Sequence, residues 1–513
     1  MSAARDQGAR RPQRGDGRPV RRDQGARARV QRPTAPDAPR QAAFDVLREV
    51  SASDAYANLV LPGLLRERAI TGRDAAFATE LAYGTLRMRG RYDAVIARCT
   101  NGRALETLDA PVLDLLRLGA HQLLGMRVPT HAAVSETVTL ARATVGPAAS
   151  GMVNAVLRAV ARRPLEDWLE EIAAAADPAG TDTVARLAVT TSHPGWIARA
   201  MRQALLASGR PATELPDLLE ADNLAPQVTL VARPGIVSVD ELAAEAERET
   251  GADLTPGRWS PQALVTGSGD PAHLPAVRAA AAGVQDEGSQ LVALALAAAP
   301  LAPGPGSDAT AGVPDAAWLD LCAGPGGKAA LLGALAHARG AHLTANEVAP
   351  HRARLVRSSV AAIPAGTVDV ITGDGRELGA DRPGQFDRVL VDAPCTGLGA
   401  LRRRPESRWR RSLDDLAALG PLQRDLLASA LEAVRPGGVV AYVTCSPHVA
   451  ETRIVVEDAL RRRDDAELLD AVGVLQGVAV TPLPGLGDGP FAQLWPHLHQ
   501  TDAMFLALIR KTA

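Results

Sequence analysis

Ala317-Trp318-Leu319-Asp320-Leu321-Cys322-Ala323-Gly324-Pro325-Gly326-Gly327-Lys328 passes from a short apolar run into a glycine turn, and a helical stretch, Ala329–Arg339, follows. Further apolar runs at His342–Ala345, Val368–Ile371, Arg388–Val391 and Val439–Val443 alternate with helical stretches at Pro350–Ala362, Leu413–Val434 and Val449–Arg463. Short buried strands alternating with helices predict a Rossmann-like parallel sheet wrapped on both faces. Ligands in such sheets sit at the carboxyl ends of the strands. Every motif discussed below falls at such an end.

Glycines at Gly324, Gly326 and Gly327 permit positive φ and let the backbone approach a ligand closely. Gly324-x-Gly326-x-x-Ala329 also satisfies the loose nicotinamide-cofactor pattern, and a purely structural turn is a third reading. A phosphate loop is excluded, because Cys322 replaces its first glycine and Ala329 its Ser or Thr. Two acids narrow the choice. Glu347, after the second strand, suits ribose hydroxyls, and Asp374 in Gly373-Asp374-Gly375 suits an adenine amino group. Together they describe a pocket for an adenosine without a pyrophosphate, which points to S-adenosylmethionine.

Two of the four cysteines also follow strand-like runs, in Asp392-Ala393-Pro394-Cys395 and Thr444-Cys445-Ser446-Pro447. A cysteine beside a strand is usually a small buried hydrophobe. That reading suits Cys99 and is an equal contender for Cys322, but two thiols on strand-end turns suggest chemistry. Carbon 5 of cytosine is a poor nucleophile, and a thiolate adding at carbon 6 turns the ring into an enamine that can attack a sulfonium methyl. A hydrogen-bond partner must stabilise the ring, a job for Asp392, and a base must remove the carbon 5 proton before the thiol leaves.

These strings resemble the RNA 5-methylcytosine methyltransferases of the Sun/NOL1/NOP2 family, over roughly Gln285–Lys511. The resemblance implies that Cys445 is the nucleophile and that Cys395 assists product release. The opposite assignment stays open, because DNA 5-methylcytosine enzymes use a thiol that follows proline, as Cys395 does. The resemblance further implies that Cys322, Ala323, Gly324, Pro325, Gly326, Gly327 and Lys328, with Glu347, Asp374 and Asp392, hold S-adenosylmethionine. His499, Thr501 and Asp502, before an expected closing strand Ala503–Ile509, are similar to the family's C-terminal segment. Glu347 stands where many relatives have Asp.

The preceding part of the chain is helical in pattern from about Arg40 to Arg163, with Phe44, Leu47 and Val50, then Val112, Leu115 and Leu116, at helix spacing. Tyr56-Ala57-Asn58-Leu59, Glu80-Leu81-Ala82-Tyr83-Gly84-Thr85-Leu86-Arg87 and Val153-Asn154-Ala155-Val156-Leu157-Arg158 resemble NusB-type RNA-binding domains. The expected organisation is a disordered basic arm over 1–39, an all-α NusB-like bundle over 40–165, a small α/β connecting domain over 166–284 and the methyltransferase domain over 285–513. Residues 301–315, rich in Pro, Gly, Asp and Ala, read as a flexible insertion.

Bulk properties agree. At 513 residues the chain needs several cores. Its net charge of −2 is unevenly spread, since residues 1–40 hold eleven Arg and no Lys against four Asp. Such an arm could add phosphate affinity or simply solubilise the chain. No apolar run is long enough for a membrane span or signal core, and the cysteine spacing fits neither a disulfide framework nor a zinc site, so a cytoplasmic, metal-free monomer is expected. Arg402, Arg403, Arg404, Arg408, Arg410 and Arg411 follow the Cys395 turn and are expected to hold RNA phosphates, with Trp409 stacking or packing. The expected partner is small-subunit ribosomal RNA. Transfer RNA is an alternative substrate. A non-catalytic RNA-binding assembly or antitermination factor is an alternative of another class, and a nicotinamide-dependent oxidoreductase is a more distant one.

Overall fold

The computed structural model describes residues 36–53, 55–267, 269–304 and 313–513. The basic arm through residue 35 and the middle of the 301–315 insertion lie outside the described residues. Helices α1 (Ala38–Ala52), α2 (Ala57–Glu67), α3 (Gly72–Arg87), α4 (Arg89–Cys99), α5 (Ala110–Leu124), α6 (Thr130–Thr144) and α7 (Pro147–Val160) come first. Prolines in the first turns of α1, α5 and α7 cost no intrahelical hydrogen bond there. Phe44, Leu47 and Val50 fill one face of α1 and pack with Leu115, Leu116 and Val153 in a single core. That core also takes in Trp168 and Ile172 of α8 (Leu165–Ala176), so the bundle's packing runs past residue 165.

Helices α9 (Thr183–Thr190), α10 (Gly195–Ala207) and α11 (Leu215–Ala221) lead to a small sheet of β1 (Val228–Ala232), β2 (Leu254–Pro256), β3 (Ala263–Thr266) and β4 (Ala282–Val284). Its pairings are all antiparallel, in the order β2-β3-β1-β4, and α12 (Val239–Thr250) packs on it. A capping box between Ser238 and Glu241 starts α12, and Gly251 at φ +65° ends it.

The large sheet contains β5 (Ala317–Asp320), β6 (His342–Asn346), β7 (Val368–Ile371), β8 (Phe386–Asp392), β9 (Val434–Thr444), β10 (Ala466–Leu468), β11 (Phe491–Gln493) and β12 (Phe505–Lys511). Strands β5 to β9 are parallel, in the order β9-β8-β5-β6-β7. The sheet is mixed, however: β12 runs antiparallel to β9, and β10 and β11 antiparallel to β12. Alternate residues of β9 face opposite cores. Val439, Ala441 and Val443 join the α13 (Glu287–Ala298) and α14 (Gly327–Arg339) side, while Val440 and Tyr442 join α16 (Gly375–Asp381) and α17 (Leu413–Ala433). Helix α15 (Pro350–Ser359) covers the first side and α18 (Arg453–Leu460) the second. The architecture is thus an all-α bundle, a small α/β connector and a Rossmann-like domain.

Several expected bounds shift. The expected helix Val449–Arg463 is a short turn, Val449–Glu451, broken from α18 by the non-helical backbone of Thr452. The closing strand starts at Phe505 rather than Ala503, because Ala503 donates its N–H to Gly399 instead of a strand partner.

Candidate active site

The glycine turn connects β5 to α14. Ala323 donates to the carbonyl of Asn346 in β6, and Gly324 N–H donates to Glu347 Oε2 at 3.0 Å. Glu347 is buried, and its other oxygen accepts from Ala349 N–H at 3.0 Å. A Cβ on Gly324 would sit 2.1 Å from Glu347 Oε2, and Gly326 holds φ +116° against Val356 and Ser359. Neither position admits a side chain. Cys322, Pro325 and Gly327 complete the turn.

Asp320, at the end of β5, is 1% exposed, and neither carboxylate oxygen has a hydrogen-bond partner in the protein. Burial, reinforced by the charge of Asp392, pushes its carboxyl up to about 8. Asn346 donates to the Leu321 and Gly373 carbonyls while its own buried oxygen is left unpaired. Asp374 caps α16 by accepting from Arg376 N–H at 2.9 Å, and its ion pair with Arg376 holds its carboxyl below the ordinary range. Burial and then Asp320 and Asp392 push the Cys322 thiol far up, which keeps it protonated.

Lys328 leaves the first turn of α14 and places Nζ 2.8 Å from Asp392 Oδ2 at the end of β8. Burial alone would lower its ammonium, but the Asp392 carboxylate outweighs this and raises it. Cys395 and Cys445 follow β8 and β9, and their sulfurs meet at 3.5 Å although fifty residues separate them. Either thiol can donate in this contact, and the interaction holds Cys445 below the usual thiol range and pushes Cys395 well above it. Cys445 is therefore the thiol that ionises first. Gly399 lies between the strand ends, donating to the Cys445 carbonyl, and a Cβ there would meet the carbonyls of Ala503 and Cys445 at 2.4 and 2.8 Å.

The arginine run departs from expectation. Arg408 is fully buried and donates to the carbonyls of Arg87, Ser192 and Asp222 and to Asn223 Oδ1. Arg402 is buried on the Gln500 carbonyl, and Arg410 bonds the Val50 and Ala55 carbonyls. Arg403 pairs with Asp502, and Arg411 lies 4.0 Å from Asp415. Trp409 packs against Gly90 and beneath Arg89. Buried guanidiniums holding carbonyls cannot also face phosphates, so Arg402 and Arg408 are structural, and Arg410 also serves the helical bundle. Arg404 alone is exposed, over the Tyr56 ring.

Among the C-terminal residues, His499 is buried between the Trp495 and Pro484 backbones and burial pushes it down to about 4. Thr501 bonds the Asp502 carbonyl. Asp502 is pushed up to about 6 by burial, with Arg403 pulling the other way. Sequence reading passed over Asp320 as a strand end and did not single out Glu451, whose buried carboxylate contacts both cysteine loops. Only the folded arrangement brings those loops to it. Among the described residues no group of His, Cys, Asp and Glu is placed to hold a metal, and no helix is long and apolar enough to cross a membrane.

A glycine turn, strand-end acids and a Rossmann-like sheet with an antiparallel β12 define a class I methyltransferase domain. The solved structure of PH0851 superposes with a TM-score of 0.73 over 93% of this chain and 99% of its own, at 21% identity, which speaks to fold. The family model of 16S rRNA methyltransferase RsmB/F matches residues 310–510, and the NusB family model matches residues 37–162. A Mycobacterium tuberculosis protein provisionally named as methyltransferase Rv1407 is 51% identical over 475 residues, covering 93% of this chain and 97% of that one. Ribosomal RNA small subunit methyltransferase B of Pseudomonas syringae is 31% identical over 481 residues, with 93% and 97% covered. The chain belongs to the 16S rRNA methyltransferase RsmB/F family. The resemblances read from its motifs, to Sun/NOL1/NOP2-type enzymes and to NusB, are borne out.

Proposed function

We propose that this chain methylates carbon 5 of a cytosine in 16S ribosomal RNA, using S-adenosylmethionine and a covalent adduct between Cys445 and carbon 6. One observation carries the reading: two sulfurs 3.5 Å apart, with Lys328 paired to Asp392 at the neighbouring strand ends.

The glycine turn suits the cofactor. Asp320 and Asn346 present buried oxygens with no protein donor, which fits a ligand bearing an ammonium and hydroxyls. Glu347 and Asp374 would hold ribose hydroxyls and the adenine amino group, since a carboxylate that already accepts backbone N–H groups retains further lone pairs. Residues 322 to 328 would supply backbone to the same ligand. When bound, S-adenosylmethionine supplies an electrophilic methyl group.

In this reading the Cys445 thiolate forms the bond to carbon 6, and the ring's π pair moves to carbon 5 for transfer. Asp392 hydrogen-bonds the ring, and Lys328 fixes the carboxylate in place. After transfer Cys395, having lost its own proton to solvent, takes the carbon 5 proton, the C–H pair re-forms the double bond to carbon 6, and the carbon 6–sulfur bond breaks to release Cys445 as thiolate. Cys395 assists this last stage. Once the Cys445 sulfur is bonded to carbon it no longer accepts strongly from Cys395, so the hold on the Cys395 proton is relaxed. Of the arginine run, Arg404 is the one left free to meet RNA. Retention of both thiols, Asp392 and Lys328 favours an enzyme over a binding-only factor.

The test is transfer of a radiolabelled methyl group to 16S ribosomal RNA, with bisulfite sequencing of ribosomal and transfer RNA from a deletion strain. Loss of one ribosomal 5-methylcytosine is expected. Loss confined to transfer RNA would move the substrate, and unchanged patterns with no methyl transfer would end the enzymatic reading.

A further inference from the structure

Glu451 closes the short turn after β9 and is fully buried. Its Oε1 accepts from Thr396 N–H at 2.7 Å and from Gln423 Nε2 at 3.3 Å. Its Oε2 accepts from Ser446 Oγ at 2.6 Å and from the Thr396 hydroxyl. These four donors occupy the roughly four acceptor sites of a carboxylate. Among the described residues no cation pairs with it. Thr396 directly follows Cys395 and Ser446 directly follows Cys445, so one side chain ties together the two loops that carry the thiols. Gln423 extends the tie by donating to the Pro394 carbonyl at 2.8 Å, and Tyr442 anchors Glu451 itself by bonding its backbone carbonyl at 2.9 Å.

We propose that Glu451 is a positioning residue that sets the spacing of Cys395 and Cys445 and, through that spacing, the difference in their reactivity. The first part follows from the donor set, because Thr396 and Ser446, the residues after the two cysteines, both bond this carboxylate, alongside a weak hydroxyl contact of 3.3 Å between them and the bond from Gly399 N–H to the Cys445 carbonyl. The second follows from that spacing, because the 3.5 Å contact between the sulfurs is what holds Cys445 below the usual thiol range and pushes Cys395 above it.

The proposal rests on reading Cys445 as the attacking thiolate, but its test needs neither RNA nor cofactor. The full chain is alkylated with limiting iodoacetamide, and the modified cysteines are counted by mass spectrometry across pH. In the wild type Cys445 should take up most of the label, because the thiolate and not the thiol is the reacting form. Glu451→Gln, which turns an amide N–H₂ toward these donors, should bring the two towards parity. Thr396→Val, which removes one hydroxyl donor, should move the ratio partway, and Thr396→Ser should restore it. Circular dichroism melts identify any variant that fails to fold, in which case the Thr396 pair decides. A wild-type ratio in folded Glu451→Gln and Thr396→Val would overturn the proposal. A shifted ratio in an enzyme that does not methylate RNA would leave it standing and count against the proposed reaction.

Discussion

The sulfurs of Cys395 and Cys445 stand 3.5 Å apart, in hydrogen-bonding contact, each following a different one of two parallel strands. The contact sets the thiols apart in titration, with Cys445 held below the usual thiol range and Cys395 pushed well above it.

Replacing Cys445 with Ala should abolish both methylation and any covalent complex. Replacing Cys395 with Ala should permit attack and transfer but stall release, so RNA-linked protein accumulates as a shifted band on a denaturing gel. Trapping by Cys445→Ala and none by Cys395→Ala would exchange the two roles.

Asp320 should make folding stability depend on pH. Its folded carboxyl ionises only near about 8, whereas in an unfolded chain it ionises near about 4. Between those values the unfolded state gains charge and the folded state does not, so stability falls as pH rises, by at most about 1.4 kcal/mol per pH unit. Urea titrations at several pH values should show a shallower decline in Asp320→Asn than in the wild type. Parallel declines in the two would show that Asp320 ionises normally when folded.

Glu347→Ala and Asp374→Ala should weaken S-adenosylmethionine binding by about ten- to a hundredfold, the worth of a charged hydrogen bond at roughly 1.5–3 kcal/mol. RNA affinity should change far less. Glu347→Ala carries the further effect of freeing Gly324 N–H, so it should be the worse of the two. Calorimetric titration with unchanged affinity in both would reject the pocket.

Arg404 and Arg408 lie four residues apart and should behave oppositely. Arg404→Ala should reduce the salt slope of RNA binding by up to about one and leave the melting temperature alone. Arg408→Ala strands buried carbonyls and the Asn223 amide oxygen, and should cost about 3 kcal/mol or more in stability. Equal melting curves for the two variants would contradict the buried placement.

The strand–helix alternation, the glycine turn and the cysteine pair were legible because each is a local pattern: apolar period, backbone freedom, a reactive side chain beside a turn. The antiparallel β12 was not, because strand direction depends on where the chain returns and not on its own residues. The arginine run misled for a related reason. Arg402, Arg403, Arg404, Arg408, Arg410 and Arg411 read as one charged face, yet short helical and turn geometry sends them in different directions, and the acceptors that bury Arg408 come from residues 87 to 223. Glu451 was invisible in the same way: its partners are Thr396, Gln423 and Ser446, and only the last is nearby in sequence.

Arg408 also bears on how this chain can be taken apart. Its guanidinium is a peg on the loop that follows Cys395, and the socket is assembled from the end of α3, the Ser192 backbone and Asp222-Asn223. A catalytic domain produced without those residues would carry an unmated peg within reach of its own thiol loop. The helical bundle and connector are in this sense scaffolding for the reactive end of the sheet. Swapping them for another module would require rebuilding the socket that holds Arg408.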